Sequence, residues 1–182
     1  MKAATGSAIS WQSVEAPSFS VTNYNPVMAL AQNHIHFLDV PGSSPGEAFI
    51  FVIHFAYFQP QPQGYPASSG NAFPVSHGKA TSFFLDNSWQ EQFAYVPDDG
   101  SATYVVNVQT NTTVSLAGPS DKSSGSSYTA STSALVQLTS KNNLFYIPYS
   151  QTGSATSNAN GVWNSYQCFG LPVWYSDRLN RL

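Results

Sequence analysis

The chain reads as an all-β protein built from repeated antiparallel hairpin units, and three observations predict this. First, one short pattern occurs three times: an apolar run ending in Val-Pro or Ile-Pro, then a polar turn with Gly. The copies are His36-Phe37-Leu38-Asp39-Val40-Pro41 with Gly46, Phe93-Ala94-Tyr95-Val96-Pro97 with Gly100, and Leu144-Phe145-Tyr146-Ile147-Pro148 with Gly153. They recur at roughly fifty residues, the range in which propeller blades and similar arrays repeat. Second, no segment carries the three-and-four apolar spacing of a capped amphipathic helix. Third, β-branched and aromatic runs bounded by Gly, Pro, Asn and Ser occur along the whole chain.

The elements follow in order. Apolar stretches at 27–31, 82–85 and 134–138 lie upstream of the three copies. Residues 33–40 alternate and stop at Pro41. Residues 47–58 are apolar on both faces, which predicts a central strand covered on both sides. The link at 41–46, Pro-Gly-Ser-Ser-Pro-Gly, is turn chemistry, so these two strands form a hairpin. Residues 90–96 and 102–116 form a second hairpin around Pro97-Asp98-Asp99-Gly100, where Asp and Gly tolerate a left-handed backbone. Residues 133–138 and 143–149 form a third. Two linkers divide the units: a Pro-rich segment at 59–66 that runs extended across the surface, and a flexible polar loop at 118–127. Residues 1–165 are thus one β domain of about three units. The stretch 166–182 holds Cys168, Arg178 and Arg181 and breaks the polar style of what precedes it. It marks an atypical tail: a terminal strand, a docking segment or a read-through in the coding sequence. Fold alternatives are a β-sandwich and a cupin-like jelly roll.

Bulk composition narrows the function. The length of 182 residues suits one domain with a sizeable core. Charged residues make up 8%, against about 25% in an average soluble chain. The formal charge of -3 offers no basic patch, which excludes nucleic acid and anionic membranes as partners. Aromatics stand at 14%. With abundant Ser, Thr, Asn and Gln, this is the style of an extracellular β protein that meets sugars. Cys168 is alone, so no internal disulfide forms. Residues 1–6 lack the apolar core of a signal peptide, while Asn111-Thr112-Thr113 is a glycosylation sequon. A secreted or cell-wall location is the expectation, with any leader outside this chain.

Two residue sets could carry function. His34 and His36 are two apart on a strand and share a face, and His54 lies on the expected hairpin partner. Imidazoles are common transition-metal ligands, and His-x-His on a strand is similar to the opening of the cupin metal motif. That motif places a Glu about four residues on, where this chain has Val40 or Pro41. This metal site supports an enzyme only as the alternative reading, and the leading one needs no cofactor and assigns no catalytic residue. Glycosidase pairs could arise from Glu91 with Asp98 or Asp39 with Glu47, without a motif behind either. The other set is Trp89, Tyr95, Asp98, Tyr104, Tyr146, Tyr149 and Trp163, which recur around the repeated turn. Aromatic planes pack on the C–H faces of sugar rings, while hydroxyl and carboxylate groups bind sugar hydroxyls.

Ala134-Leu135-Val136, then Asn143-Leu144-Phe145-Tyr146-Ile147-Pro148-Tyr149-Ser150, then Gly161-Val162-Trp163 resembles in rhythm a propeller blade of the fungal lectin type. Ala94-Tyr95-Val96-Pro97-Asp98-Asp99-Gly100-Ser101-Ala102-Thr103-Tyr104 repeats the aromatic strand and its turn. The resemblance spans residues 27–163 and implies a carbohydrate-binding protein without catalytic activity. Fucose-binding members clamp the sugar with an Arg and a Glu. This chain has no Arg before Arg178, so fucose specificity does not carry over. Three blades do not close a propeller, which takes four to eight. The chain is therefore a fragment, an open sandwich, or one copy of a homo-oligomer. A structural surface protein is the remaining alternative.

Overall fold

The alternation of side chains in β-strands assigns each residue to one of two faces, and here that assignment builds a stack of three sheets. The computed structural model describes residues 13–69, 72–86, 88–153 and 161–166. Among them are fourteen strands and no helix. Sheet 1 comprises β1 (Val27–Ala31), β2 (His34–Leu38), β3 (Glu47–Val52) and β4 (Tyr57–Phe58) in that order, and β5 (Gln63–Gly64) also pairs with β3. Sheet 2 is β6 (Ala67–Ser69), β10 (Thr112–Ala117), β9 (Ala102–Asn107), β8 (Gln92–Pro97) and β7 (Gly78–Ser82), with β6 the one parallel member. Sheet 3 is β11 (Ser127–Ala130), β12 (Ala134–Leu138), β13 (Leu144–Pro148) and β14 (Asn164–Tyr166). Each sheet contains a four-stranded antiparallel meander, and the first strands of the meanders pack in series, β1 on β7 and β7 on β11. The sheets therefore fan out like blades.

Sheet 2 is the middle layer. Phe93, Tyr95, Tyr104 and Val106 of β8 and β9 turn to sheet 1 and meet Val27, Ala29, Leu38 and Ala48. Ala94, Val96 and Val105, one step out of register, turn to sheet 3 and meet Leu135, Ile147 and Tyr149. Every residue of β8 is buried as a result. Small residues set the spacing. A Cβ at Gly78 would stand 2.5 Å from the Val96 carbonyl oxygen and 2.8 Å from the Tyr95 ring.

Residues 47–58 behave differently from the expectation of one doubly covered strand. β3 ends at Val52, Ile53 to Ala56 form an exposed turn with Ala56 at φ 56°, and the chain returns as β4. The burial of β3 alternates. Ala48, Ile50 and Val52 enter the core, while Phe49 joins Phe19, Phe37 and Phe58 in a ring cluster on the outer face. The doubly covered strand is β8. The span 102–116 likewise divides at a turn where Asn111 takes φ 54°, giving β9 and β10.

The linker at 59–66 also departs from a simple surface run. Its Tyr65 is buried, its backbone N–H donates to Gly46, and its hydroxyl lies 2.9 Å from His36 Nδ1 in the core. The loop at 118–127 is anchored: Ser126 is buried, and Lys79 Nζ donates to the Ser124 and Ser126 carbonyls. The third copy of the sequence pattern is one strand out of phase. The first two copies lie on the second strands of their meanders, β2 and β8, whereas the third lies on β13, the third strand of its sheet. β12 takes the second place there and connects to β13 through a turn in which Asn142 holds φ 62°. Of the tail expected at 166–182, Tyr166 ends β14, and the rest, with Cys168, Arg178 and Arg181, lies outside the described residues.

His36 generates a pH prediction. It is buried against Phe93 and Tyr65, and its Nε2 makes no hydrogen bond. Burial pushes its pKa from 6.5 down to about 4, with the nearby Ala31 carbonyl offsetting part of that. A base that binds its proton less readily when folded contributes stability that is complete above the unfolded pKa. That stability is lost as pH falls from 6.5 towards 4. At about 1.4 kcal/mol per pKa unit, the loss is roughly 3 kcal/mol. Urea midpoints measured across this interval should fall steeply for the wild type, and the slope should flatten in His36→Leu. A second expectation concerns packing: Gly78→Ala should lower stability by about 2 kcal/mol through overpacking, read as an earlier urea midpoint.

Candidate functional site

Antiparallel pairing places the start of β1 beside the end of β2, and the start of β7 beside the end of β8. Because β1 packs on β7, four strand ends converge at one end of the seam between sheets 1 and 2. They bring Asn23, Tyr24 and Asn25 from the approach to β1, Asp39 from the exit of β2, His77 from the approach to β7 and Asp98 from the exit of β8. These residues and Pro41 line a cleft of about 480 Å³. Asp39 also borders a neighbouring cavity of about 150 Å³ with Ser43, Ser44, Phe73 and Tyr95.

The cleft is held by side chains that bond one another. His77 Nδ1 lies 2.7 Å from Asp98 Oδ2, and His77 Nε2 lies 2.9 Å from Asn25 Nδ2. One tautomer satisfies both contacts: Asn25 donates to Nε2, and Nδ1–H donates to Asp98. The Asp98 backbone N–H donates to the His77 carbonyl at 2.9 Å, which locks the two segments together. Tyr24 donates its hydroxyl to the Leu38 carbonyl at 2.6 Å. Burial pushes the Tyr24 pKa up to about 12, so it stays a donor. Asp39 sits at φ 52°, a left-handed conformation that Asp tolerates better than most residues. Burial raises the Asp39 pKa, the nearby His77 imidazole counters that when it carries a proton, and the Asp98 carboxylate adds to the rise.

The same place between sheets 2 and 3 is filled. Lys79, Lys122, Ser123 and Tyr128 close it around Asp98 and Gly100. A Cβ at Gly100 would stand 2.9 Å from Lys122 Cα, so the loop carrying Lys122 seats directly on the β8–β9 turn.

Of the residues singled out from the sequence, Asp98 lies in the cleft. Tyr95 and Tyr104 are core residues against Phe73, and Tyr95 donates its hydroxyl to the Ser76 carbonyl. Tyr149 is buried between sheets 2 and 3 and donates to Gln92 Oε1 at 2.5 Å. Trp163 packs near Tyr128 and donates to the Ala117 carbonyl. Tyr146 lies half-buried on the outer side of sheet 3, and Trp89 is exposed in the loop before β8. These six do not gather at one place.

His34 and His54 do come together, their rings stacked at 5.4 Å. Burial, with the charge of His54 second, lowers the His34 pKa. His36 faces inward with Nδ1 engaged by Tyr65. Among the described residues, no three His, Cys, Asp or Glu side chains stand where one metal ion could be held. Sequence reasoning missed Asn25, Asp39 and His77 as a group. The available signal was positional: Asp39 and Asp98 both follow the second strand of a meander.

No family model matches the chain, and no curated protein matches it. Among solved structures it is similar to the N-terminal domain of Nup159 at 11% identity and a TM-score of 0.40. The match covers 80% of this chain and 30% of that one.

The charge pattern of the cleft is testable by carboxyl NMR titration. The Asp39 midpoint should lie above the ordinary aspartate value in the wild type. It should fall in Asp98→Asn, which removes a negative neighbour, and rise in His77→Ala, which removes the imidazole that opposes the rise when protonated.

Proposed function

We propose that the protein binds carbohydrate without transforming it, in the cleft between sheets 1 and 2. The observation that supports this best is the convergence of Asp39, Asp98, His77 and Asn25 at an open, pre-bonded site. Carboxylate oxygens accept from sugar hydroxyls, the Asn amide both donates and accepts, and Pro41 with the Tyr24 ring supplies an apolar edge for C–H faces. Two carboxylates in one cleft disfavour phosphate and other anions. Both ring nitrogens of His77 are engaged, so neither is free to take a proton from a bound hydroxyl. Those features favour recognition over catalysis. The lectin-like resemblance in the sequence points the same way, as does the sequon at Asn111, which is exposed in the β9–β10 turn and fits an exported protein. The proposed site differs from the aromatic set around the repeated turn and shares Asp98 with it.

A glycan array read at high protein concentration should show a set of related neutral or amino sugars. Calorimetry on the best of these should give at least a tenfold weaker affinity for Asp98→Ala and Asn25→Ala, or about 1.4 kcal/mol each. Trp89→Ala should leave it unchanged. An array without signal would exclude the reading. Equal loss in Trp89→Ala would move the site to the opposite end of the sheets.

A further inference from the structure

A sheet at the end of a stack normally alternates apolar-in with polar-out, and repeat arrays close their ends with a polar face. Both ends of this stack depart from that over part of their outer face. On sheet 1 the strand register sends Met28 and Leu30 outward from β1, with Ile35, Phe37, Phe49 and Phe51 beside them. On sheet 3 it sends Val136 and Leu138 outward from β12, beside Leu144, Tyr146 and Tyr166. Glu47 of β3 is the one charged residue among the outward strand positions of the two end sheets, and Ser127 and Thr129 face outward from β11. Met28 is 52% exposed, Leu30 41%, Leu138 47% and Tyr166 57%. Phe19 covers the Phe37, Phe49 and Phe58 part of sheet 1, which leaves the β1 side, with Met28 and Leu30, open.

We infer that the outer face of sheet 3 in one copy packs on the outer face of sheet 1 in a second copy, so that two chains close a ring of six sheets. Continuity with the internal interfaces carries this. Sheet 1 packs on sheet 2 and sheet 2 on sheet 3 through one repeated relation, first strand beside first strand. The next step of that relation from sheet 3, whose β12 and β13 turn apolar side chains outward, calls for a largely apolar face of the sheet 1 kind. A second copy supplies that face, and offers its own sheet 3 face to the sheet 1 left open on the first. The contact is head-to-tail, joining unlike faces, and twofold symmetry closes it. Six sheets fall within the four to eight of closed propellers. The two contacts form together, so each raises the effective concentration for the other. The inference is independent of the carbohydrate reading.

Sedimentation velocity on the full chain, with variants on each face, tests it. The wild type should sediment as a dimer. Met28→Glu/Leu30→Glu and Leu138→Glu should each be monomeric with an unchanged β circular-dichroism spectrum. An equimolar mixture of the two should recover dimer, because one copy keeps an intact sheet 3 face and the other an intact sheet 1 face. Where a Glu variant loses its spectrum, Met28→Ser/Leu30→Ser or Leu138→Ser replaces it, with a weakened dimer expected. A monomeric wild type would overturn the inference. So would a dimer indifferent to one face, no recovery on mixing, or a ladder of trimers and larger species.

Discussion

The structure depends on one strand, β8, being buried on both sides. Phe93 and Tyr95 commit one face to sheet 1, and Ala94 and Val96 commit the other to sheet 3. Two-sided burial fixes register more strictly than one-sided burial does, because a slip by one residue would exchange large rings for small side chains in both interfaces at once. The asymmetry of the two faces has a physical use. Rings on the sheet 1 side fill a wide seam together with Tyr65, His36 and Tyr104. Alanine and valine on the other side let sheet 3 approach closely. Gly78 serves the same end at the edge, where β7 meets β8 with no room for a Cβ.

The two seams also differ in how their corresponding ends are filled. Between sheets 1 and 2 the polar groups at the cleft end bond one another across the gap. Between sheets 2 and 3 the loop at 118–127 folds back into the corresponding space. There Gln137 donates to the Asp121 carbonyl and to Ser126 and Tyr128, and Lys79 reaches two loop carbonyls. Those bonds fill the end of the seam that corresponds to the cleft. The phase shift of the third sequence copy adds to the difference, since no acid follows β12 in the place that Asp39 and Asp98 occupy after β2 and β8.

Much of the fold was legible from residues whose chemistry is local. Pro41, Pro97 and Pro148 end strands because they lack an N–H, and the Asn and Gly turns announce reversals. The absence of helical periodicity excluded helix outright. What the residues did not disclose is which face each strand turns to which neighbour. Residues 47–58 and β8 look equally apolar as sequence, yet the aromatics of β3 form an outer cluster with Phe19 while those of β8 fill an interior seam. Tyr65 stood in a Pro-rich stretch whose composition reads as surface, and its role became visible with the buried imidazole it bonds. The site was less legible still. Asp98 could be found from its turn, but Asn25, Asp39 and His77 are joined to it by packing between sheets, and no spacing along the chain encodes that. Tyr104 and Tyr149 show the converse. An aromatic with a polar handle is equally at home in a core that offers its hydroxyl a partner.

Scarcity of charge gives the cleft its weight. With 8% of residues charged, a random scatter over the surface would seldom set two carboxylates at one opening. Here Asp39 and Asp98 are close enough that the charge of one acts on the proton affinity of the other. Two acids held near each other cost stability, and the fold offsets this by placing His77 against Asp98 and burying little of either group completely. The outer faces obey the same economy from the other side. A chain this poor in charge has left Glu47 as the one charged side chain at the outward strand positions of its end sheets. Little charge therefore opposes their being covered, while the hydrophobic effect favours it in proportion to the apolar area removed from water.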